Sequence, residues 1–310
     1  MSLKLSKKHR VNGSSGSSHS KNDLIFYICL LALPLLQVGI FYFGVNFQSF
    51  FMAFQRYDTV NGKFIFDASQ NFKTLANDIS QQGFWIMMKN SLVLWVVGTI
   101  VGTFLAVFFS YYVYKRRTAY NFFKFVLFLP SVLPGIILIT MFKTFMSEGV
   151  PAWAKFLFNA EVGDVFLNGK LRFTVITIYG LWLGFGSSVL VYTGAMDQIP
   201  TEVIEAGKID GVSTLREFFS IIIPSILPTM ATFLIAGVAG IFTNQNGLFS
   251  FVGGNAMPND KTIGYYLYIM VLPEQGKGTY GYASLLGLIC TCLALPLTYL
   301  VRRILRKVQD

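Results

Sequence analysis

Six long apolar runs dominate this sequence and limit the folds that it can adopt. Each holds about 20 or more mostly apolar residues, the length an α-helix needs to cross a bilayer core. The runs are Leu24 to Val45, Trp85 to Val113, Phe122 to Phe145, Phe173 to Gly194, Ile222 to Thr243 and Tyr282 to Val301. Since 54% of the residues are hydrophobic and only 13% are charged, the sequence predicts an all-α membrane protein with six transmembrane helices.

Lys and Arg are distributed unevenly among the segments that join these runs. Fourteen of them lie in residues 1–23, 114–121, 195–221 and 302–310. The other connecting segments hold only eight Lys and Arg residues, and these are matched by eight acidic residues. Because positively charged loops tend to stay on the cytoplasmic side, both termini are predicted to face the cytoplasm. Contact with the lipid bilayer accounts for this charge, and no nucleic acid partner is expected.

The chain is predicted to contain one membrane domain with short tails. Residues 1–23 form a flexible cytoplasmic tail, since residues 11–20 are mostly Ser and Gly. Residues 24–305 form the transmembrane domain, including a cytoplasmic loop over 195–223, and residues 306–310 form a C-terminal tail. All three Cys lie in apolar runs and both His in the N-terminal tail, so no disulfide or metal site is predicted.

The six runs contain no Asp, Glu or His. Carriers driven by protons or ions usually keep such a group inside the membrane, where it is costly and functional. The sequence also lacks a phosphate-binding loop, because no Gly-Lys pair is followed by Ser or Thr. The chain is therefore predicted not to be an enzyme, and any energy for transport must come from a separate subunit.

Small residues and prolines predict contacts and bends within the runs. Gly98 and Gly102 are four residues apart, as are Gly180 and Gly184, and such pairs allow membrane helices to approach closely. Pro130 and Pro134 interrupt the third run and predict a bend there. Both a simple packing kink and a hinge in a gating motion remain open.

The 195–223 loop carries the signals of two short helices. Pro200 followed by Thr201 predicts a helix start, and Gly211 predicts a left-handed stop. A second helix is predicted to begin at a capping box formed by Thr214 and Glu217. A first helix of about two and a half turns is too short to be stable alone, so it is expected to dock on another surface.

Adjacent small residues in the first of these helices indicate where a partner comes close. Ala206 and Gly207 would let a partner approach the backbone between Glu205 and Asp210. An amphipathic linker lying on the lipid surface is the alternative interpretation.

The order of residues in this loop resembles the cytoplasmic signature of the membrane subunits of ATP-binding-cassette importers. That signature reads Glu-Ala-Ala, three residues, Gly, nine residues, Ile, one residue, Leu-Pro. The residues in the matching positions are Glu205-Ala206-Gly207, Gly211, Ile221 and Ile223-Pro224. Gly207 stands for the second Ala of the signature, and Ile223 stands for the Leu.

Other landmarks are similar to the carbohydrate branch, represented by the first membrane subunit of maltose and glycerol-phosphate importers. They are Asn71-Phe72, Lys89-Asn90-Ser91, Pro200, "FVGGNAMPNDKTIGYYLYIM" at 251–270 and "TYGYASLLGL" at 279–288. Asn255 stands where that branch has a Pro. Together these landmarks extend over roughly residues 26–305.

The resemblance implies a type I importer permease fold and a set of partners. These are a second homologous permease, two ATPase subunits that bind ATP and Mg, and an extracytoplasmic solute-binding protein. No cofactor is implied for this chain. The helix that carries Glu205, Ala206 and Gly207 would sit in a groove of the ATPase, where Glu205 pairs with a basic residue. Asp210 and Gly211 would shape the end of that helix.

The substrate path is marked by polar and aromatic residues that suit sugars. The candidates are Trp182, Ser188, Tyr192, Asn244, Gln245 and Asn246. Alternatively, the three amides form a polar loop at the end of the fifth run and the two aromatic residues serve packing.

The sequence therefore predicts a multi-pass cytoplasmic-membrane permease subunit of an ATP-driven oligosaccharide importer. One alternative keeps this architecture with a peptide, amino acid or oxyanion as cargo. An anion site inside the membrane would require a Lys or Arg in the middle of a span, and the sequence has none there. A self-sufficient channel or secondary carrier is a second alternative. A membrane anchor without transport activity is the third.

Overall fold

Long helices make up most of the structure, a computed structural model that describes residues 21–309. Five helical stretches are long and apolar enough to cross a membrane. They are span 1 (Asp23–Met52), span 2 (Gln82–Tyr114), span 4 (Leu171–Met196), span 5 (Thr214–Ala239) and span 6 (Lys277–Lys307). Span 3 is a pair of helical stretches, Tyr120–Val132 and Gly135–Phe158, bent by 104°. The six predicted spans are all found if this bent pair counts as one.

The regular elements have the following bounds. The helices within the spans are Lys21–Gln37, Asn46–Met52, Gln82–Val96, Gly102–Tyr114, Tyr120–Val132, Gly135–Thr144, Val150–Phe158, Gly169–Met196, Thr214–Glu217, Ile223–Ala239 and Tyr280–Gln309. Wider π-helical turns cover Val38–Val45, Val97–Val101, Phe145–Gly149 and Phe218–Ile222. Shorter helices between the spans are Ser69–Ser80, Thr201–Ile209, Leu248–Val252 and Ile263–Met270, with 3₁₀ turns at Val165–Leu167, Pro273–Gln275 and Lys277–Thr279.

A small antiparallel hairpin is an addition to the predicted all-α architecture. Its strands are Gln55–Asp58 and Lys63–Phe66, and Gln55 lies opposite Phe66. Gly62 has a φ of +64°, which a glycine adopts without the steric cost of a side chain. The hairpin follows span 1 and precedes the helix Ser69–Ser80.

The chain divides into two units, with the boundary between Phe51 and Met52. In the first unit the described part is helical from Lys21 onwards. The tail predicted over residues 1–23 lies, up to residue 20, outside the described residues. In the second unit the last helix continues to Gln309, through most of the predicted C-terminal tail.

The bend in span 3 has a local cause at Leu133 and Pro134. Leu133 is extended, with φ −81° and ψ 145°, because a residue that precedes proline is disfavoured in the α-helical region. Pro134 is also extended and caps the next helix, which begins at Gly135. Pro130 remains inside the first helix of the pair and is buried. The predicted bend is thus located at the second of the two prolines.

Close helix contacts hold spans 2, 3 and 4 together. A methyl group on Gly102 would lie 3.4 Å from Leu181 Cδ1, which is ordinary van der Waals contact between spans 2 and 4. A methyl group on Gly186 would overlap the Leu127 carbonyl oxygen of span 3. Only glycine fits at position 186, and this residue was not among the small pairs that the sequence predicted.

Candidate functional site

The helix Thr201–Ile209 is defined at both ends by its own sequence. Pro200 occupies the N-cap position with an extended backbone. At the other end, the Val212 amide donates to the Gly207 carbonyl (3.0 Å) and the Gly211 amide donates to the Lys208 carbonyl (3.1 Å). These two bonds form a Schellman motif, in which Gly211 has the left-handed φ of +69° that the sequence predicted.

One face of this helix is buried against the spans. Ile204 and Gly207 are buried. Ile204 belongs to a cluster contributed by spans 2, 4 and 5, whose members include Tyr111, Met196 and Ile222. A methyl group on Gly207 would lie 2.8 Å from Ile221 Cδ1. The small size of Gly207 therefore makes room for a side chain of the same protein, in addition to any role at a partner surface.

Polar contacts fix the segment that follows the helix. Lys115 Nζ at the end of span 2 lies 2.5 Å from Glu217 Oε1 at the start of span 5, and the Glu217 side chain is only 9% exposed. The Tyr111 hydroxyl donates to the Thr214 carbonyl over 3.2 Å. Ser213, rather than the predicted Thr214, caps this helix by accepting a hydrogen bond from the Arg216 amide. The sequence did not predict the Lys115–Glu217 pair, because its two charges lie on opposite sides of spans 3 and 4.

The other face of the helix Thr201–Ile209 is exposed. Of the five residues predicted to couple to an ATPase, Glu205, Ala206, Asp210 and Gly211 are exposed and Gly207 is buried. Beside them the apolar side chain of Ile209 is 86% exposed. The exposed face thus combines an apolar side chain with charged neighbours, and protein interfaces likewise pair an apolar centre with a polar rim.

A cavity of about 620 Å³ lies among spans 2, 3, 4 and 5. Its polar lining comes from the stretch Ser91 to Thr99 of span 2, the middle of span 4 and the loop after span 5. The lining includes Asn244 and Asn246, two of the predicted substrate-path residues. The Asn246 amide donates to the Ile176 carbonyl over 3.4 Å and lies against the bare Cα of Gly180.

The other four substrate-path candidates lie outside this lining. Tyr192 is 1% exposed and belongs to the buried cluster beside the 195–223 segment. Gln245 Oε1 accepts a hydrogen bond from the Phe249 amide (3.4 Å). Ser188 donates to the Gly184 carbonyl of its own helix. Trp182 is 39% exposed and contacts Tyr179 edge to face.

Two lining residues that sequence reasoning missed are Trp95 and Tyr179. Within the described residues, Trp95 Nε1 and the Tyr179 hydroxyl are buried without a hydrogen-bond partner. A buried donor usually has a partner, so an unpaired one needs an explanation. Both residues sit in apolar runs, where an aromatic residue gives no sequence signal that separates a packing role from a binding role.

At the opposite end of the bundle the loop after span 5 is pinned to spans 2 and 4. Asp260 is fully buried and accepts hydrogen bonds from the guanidinium of Arg172, at the start of span 4. Asn90 of span 2 donates to the carbonyls of Asn259 (2.7 Å) and Lys261 (3.0 Å). The Ser91 hydroxyl accepts from the Ile263 amide (2.9 Å). The landmark Asn90-Ser91 thus holds the backbone of a loop about 170 residues away.

A second polar cluster at this end centres on Asp78. Its Oδ2 accepts hydrogen bonds from the hydroxyls of Tyr266 (3.0 Å) and Tyr282 (2.5 Å). Burial, followed by the hydrogen bond to Asp78, raises the pKa of Tyr266, so that this hydroxyl remains a donor at neutral pH. Asn71 donates to the carbonyls of Ala53 (3.0 Å) and Gln55 (2.9 Å). Both Asn71 and Asn90 therefore act by fixing backbone carbonyls.

A helical bundle with several apolar spans, a short capped helix at one end and an open cavity among its spans is typical of the membrane subunit of a transporter. Residues 98–310 match the family model described as "Binding-protein-dependent transport system inner membrane component". The chain belongs to this family, as the 195–223 signature predicted, and is a multi-pass membrane protein, as the six apolar runs predicted. In the family this component is separate from the ATPase.

Curated relatives and a solved structure extend the match. The multiple sugar-binding transport system permease protein MsmF of Streptococcus mutans is 28% identical, over 84% of this chain and 88% of that protein. The maltose/maltodextrin transport system permease protein MalF of Vibrio parahaemolyticus is 26% identical over 73% of this chain and 44% of its own length.

The solved structure is that of a bacterial alginate ABC transporter in complex with an alginate pentasaccharide-bound periplasmic protein. One of its chains has the same fold, with a TM-score of 0.76 and 18% identity over 94% of this chain and 96% of that chain. The predicted importer permease fold is confirmed.

Proposed function

We propose that this chain is the permease subunit of an ATP-driven sugar importer and that the helix Thr201–Ile209 transmits the force of ATP hydrolysis to the spans. One observation carries the proposal. The same short helix buries Ile204 and Gly207 against the spans and exposes Glu205, Asp210 and Ile209 on its other side. A partner that grips the exposed side would move the spans as a rigid body.

Sugar is the proposed cargo because the relatives MsmF and MalF are named for sugar and maltodextrin transport. The cavity fits this cargo, since it combines amide and hydroxyl groups with the faces of Trp95, Tyr179 and Phe185. Sugars bind through such hydrogen bonds together with stacking on aromatic faces. The pathway would be shared with a second, homologous permease, so that this chain supplies half of it.

The proposed complex contains two ATPase subunits, which bind ATP and Mg, and an extracytoplasmic solute-binding protein. Both termini and the 195–223 segment would face the cytoplasm, in agreement with the positive charge of those segments. The solute-binding protein would then meet the opposite end of the bundle, where Asn90 and Arg172 pin the loop after span 5.

Reversing one exposed charge tests the coupling. The substitution Glu205→Lys should abolish co-purification of the ATPase and reduce sugar uptake by about tenfold or more, because a paired charge at a docking surface becomes repulsive. Glu274→Lys, at another exposed glutamate at the opposite end, is the matched control and should leave co-purification of the ATPase unchanged. Wild-type uptake in the Glu205→Lys variant would refute the coupling, and uptake that persists without ATP would favour a secondary carrier.

A further inference from the structure

The described lining of the cavity among spans 2 to 5 contains no Asp, Glu, His, Lys or Arg. Its polar side-chain groups are hydroxyls, carboxamides and one indole N–H, contributed by Ser91, Thr99, Thr177, Ser187, Asn244 and Asn246 besides Trp95 and Tyr179. Lys143 lies outside this lining, and its Nζ donates to the Phe251 carbonyl over 3.2 Å. Arg172 is likewise paired, with Asp260.

A charged solute would therefore lose its hydration in this cavity without gaining a counter-charge from the described residues of this chain. Taking a carboxylate out of water costs several kcal/mol unless a cation or several donors replace the water. A neutral sugar pays a much smaller desolvation cost, because each of its hydroxyl groups exchanges one hydrogen bond for another.

Two hydrogen-bond donors in the cavity lining have no acceptor within the described chain and could be satisfied by a bound solute. Trp95 Nε1 and the Tyr179 hydroxyl are buried and have no acceptor among the described residues. A solute rich in hydroxyl oxygens can supply both acceptors. Their rings also offer apolar faces to a sugar ring, as does Phe185 on the same wall.

We propose that this cavity selects a neutral, hydroxyl-rich saccharide and rejects acidic saccharides, with Trp95 and Tyr179 as specificity-determining donors. This inference rests on the proposed function. It separates the chain from the alginate transporter that shares its fold, whose cargo is acidic. The discrimination follows from the uncharged lining, whereas the two donors set the affinity for the neutral cargo.

The test uses the complete transporter, purified from its native membrane and reconstituted in vesicles with its solute-binding protein. Uptake is measured for neutral trisaccharides (maltotriose, raffinose, cellotriose) and for acidic ones (trigalacturonate, trimannuronate). Each rate is divided by the occupancy of the binding protein, so that selection by that protein is removed. Acidic trisaccharides should be transported at least about a hundredfold more slowly, since several kcal/mol of desolvation correspond to two or more factors of ten.

Two aromatic variants test the donors: Tyr179→Phe is near-isosteric, and Trp95→Phe keeps an aromatic ring but removes the indole N–H. Trp95→Phe and Tyr179→Phe should each raise the KM for the neutral cargo about three- to tenfold with little change in kcat, because each removes one neutral hydrogen bond. Trp85→Phe and Tyr299→Phe, at exposed positions outside the lining, should leave the KM unchanged.

The outcomes separate the two proposals. Acidic and neutral trisaccharides that are transported at similar rates, or an unchanged KM in both donor variants, would overturn the inference while leaving a sugar importer in place. A transporter that hydrolyses ATP but moves no saccharide of either kind would overturn the proposed function itself.

Discussion

Gly180 and Gly184 look equivalent in the sequence, yet only one is required by the structure. They lie one turn apart in span 4 and both line the cavity. A methyl group on Gly180 would overlap the carboxamide of Asn246, whereas one on Gly184 would meet nothing within 4 Å. The pattern of two glycines four residues apart predicted helix packing, but Gly180 makes room for a loop side chain.

A glycine outside the lining provides the matched control for Gly180. Gly180→Ala should displace Asn246 from the cavity wall and raise the KM for the transported solute several-fold. Asn246 has a φ of +50°, so its backbone has little freedom to adjust at low cost. Gly194→Ala introduces the same methyl group into the same helix, where it meets nothing within 4 Å and lies outside the lining, and should leave the KM unchanged. Equal effects of the two substitutions on the KM would show that making room for Asn246 is not the role of Gly180.

At the scale of elements, a buried ion pair ties the loop after span 5 to span 4. Arg172 is 7% exposed and Asp260 is fully buried. If Asp260 loses its charge, the buried guanidinium of Arg172 has no other ion-pair partner among the described residues, and its contact to the Phe166 carbonyl is long (3.5 Å). Removing one partner of a buried pair is costly because the other charge remains desolvated.

Asp260→Asn should therefore destabilise the folded chain by about 3 kcal/mol. The expected results are a lower midpoint of thermal unfolding in detergent and faster proteolysis in the loop after span 5. Asp67→Asn breaks the exposed Arg56–Asp67 pair (3.3 Å) and serves as the control, because exposed pairs contribute little. If both variants melt at the wild-type temperature, the Arg172–Asp260 pair does not hold this loop.

Local sequence patterns predicted the helical elements well. They could not predict contacts between residues that are distant in the sequence. Apolar length located the spans, and Gly211 located the end of the helix Thr201–Ile209, since each signal is contained in a few neighbouring residues. Thr214 and Ser213 are both good capping residues, so the choice between them depended on tertiary contacts. Arg172 and Asp260 are 88 residues apart, and their pairing follows from how spans 4 and 5 are joined.

At the scale of the whole molecule, the 195–223 segment is tied to span 2 as well as to the spans it connects. The Lys115–Glu217 ion pair and the Tyr111–Thr214 hydrogen bond form this tie. Lys115 Nζ also lies 5.6 Å from the centre of the Tyr111 ring, which adds a cation–π contact. In the proposed importer, a push on the exposed helix would reach span 2 through these contacts and the buried cluster beneath them.

If this tie transmits motion, weakening it should uncouple ATP hydrolysis from uptake without preventing assembly. Glu217→Gln and Lys115→Met each remove one charge and keep most of the side-chain volume. Each should lower the number of solute molecules moved per ATP several-fold while the ATPase still co-purifies, since the exposed face with Glu205 is untouched.

The exchanged pair Lys115→Glu with Glu217→Lys restores opposite charges and should recover most of this ratio of solute moved to ATP hydrolysed. An unchanged ratio in both single variants would contradict the tie, and a ratio that the exchange fails to recover would show that the burial of Glu217, not its charge, positions the segment.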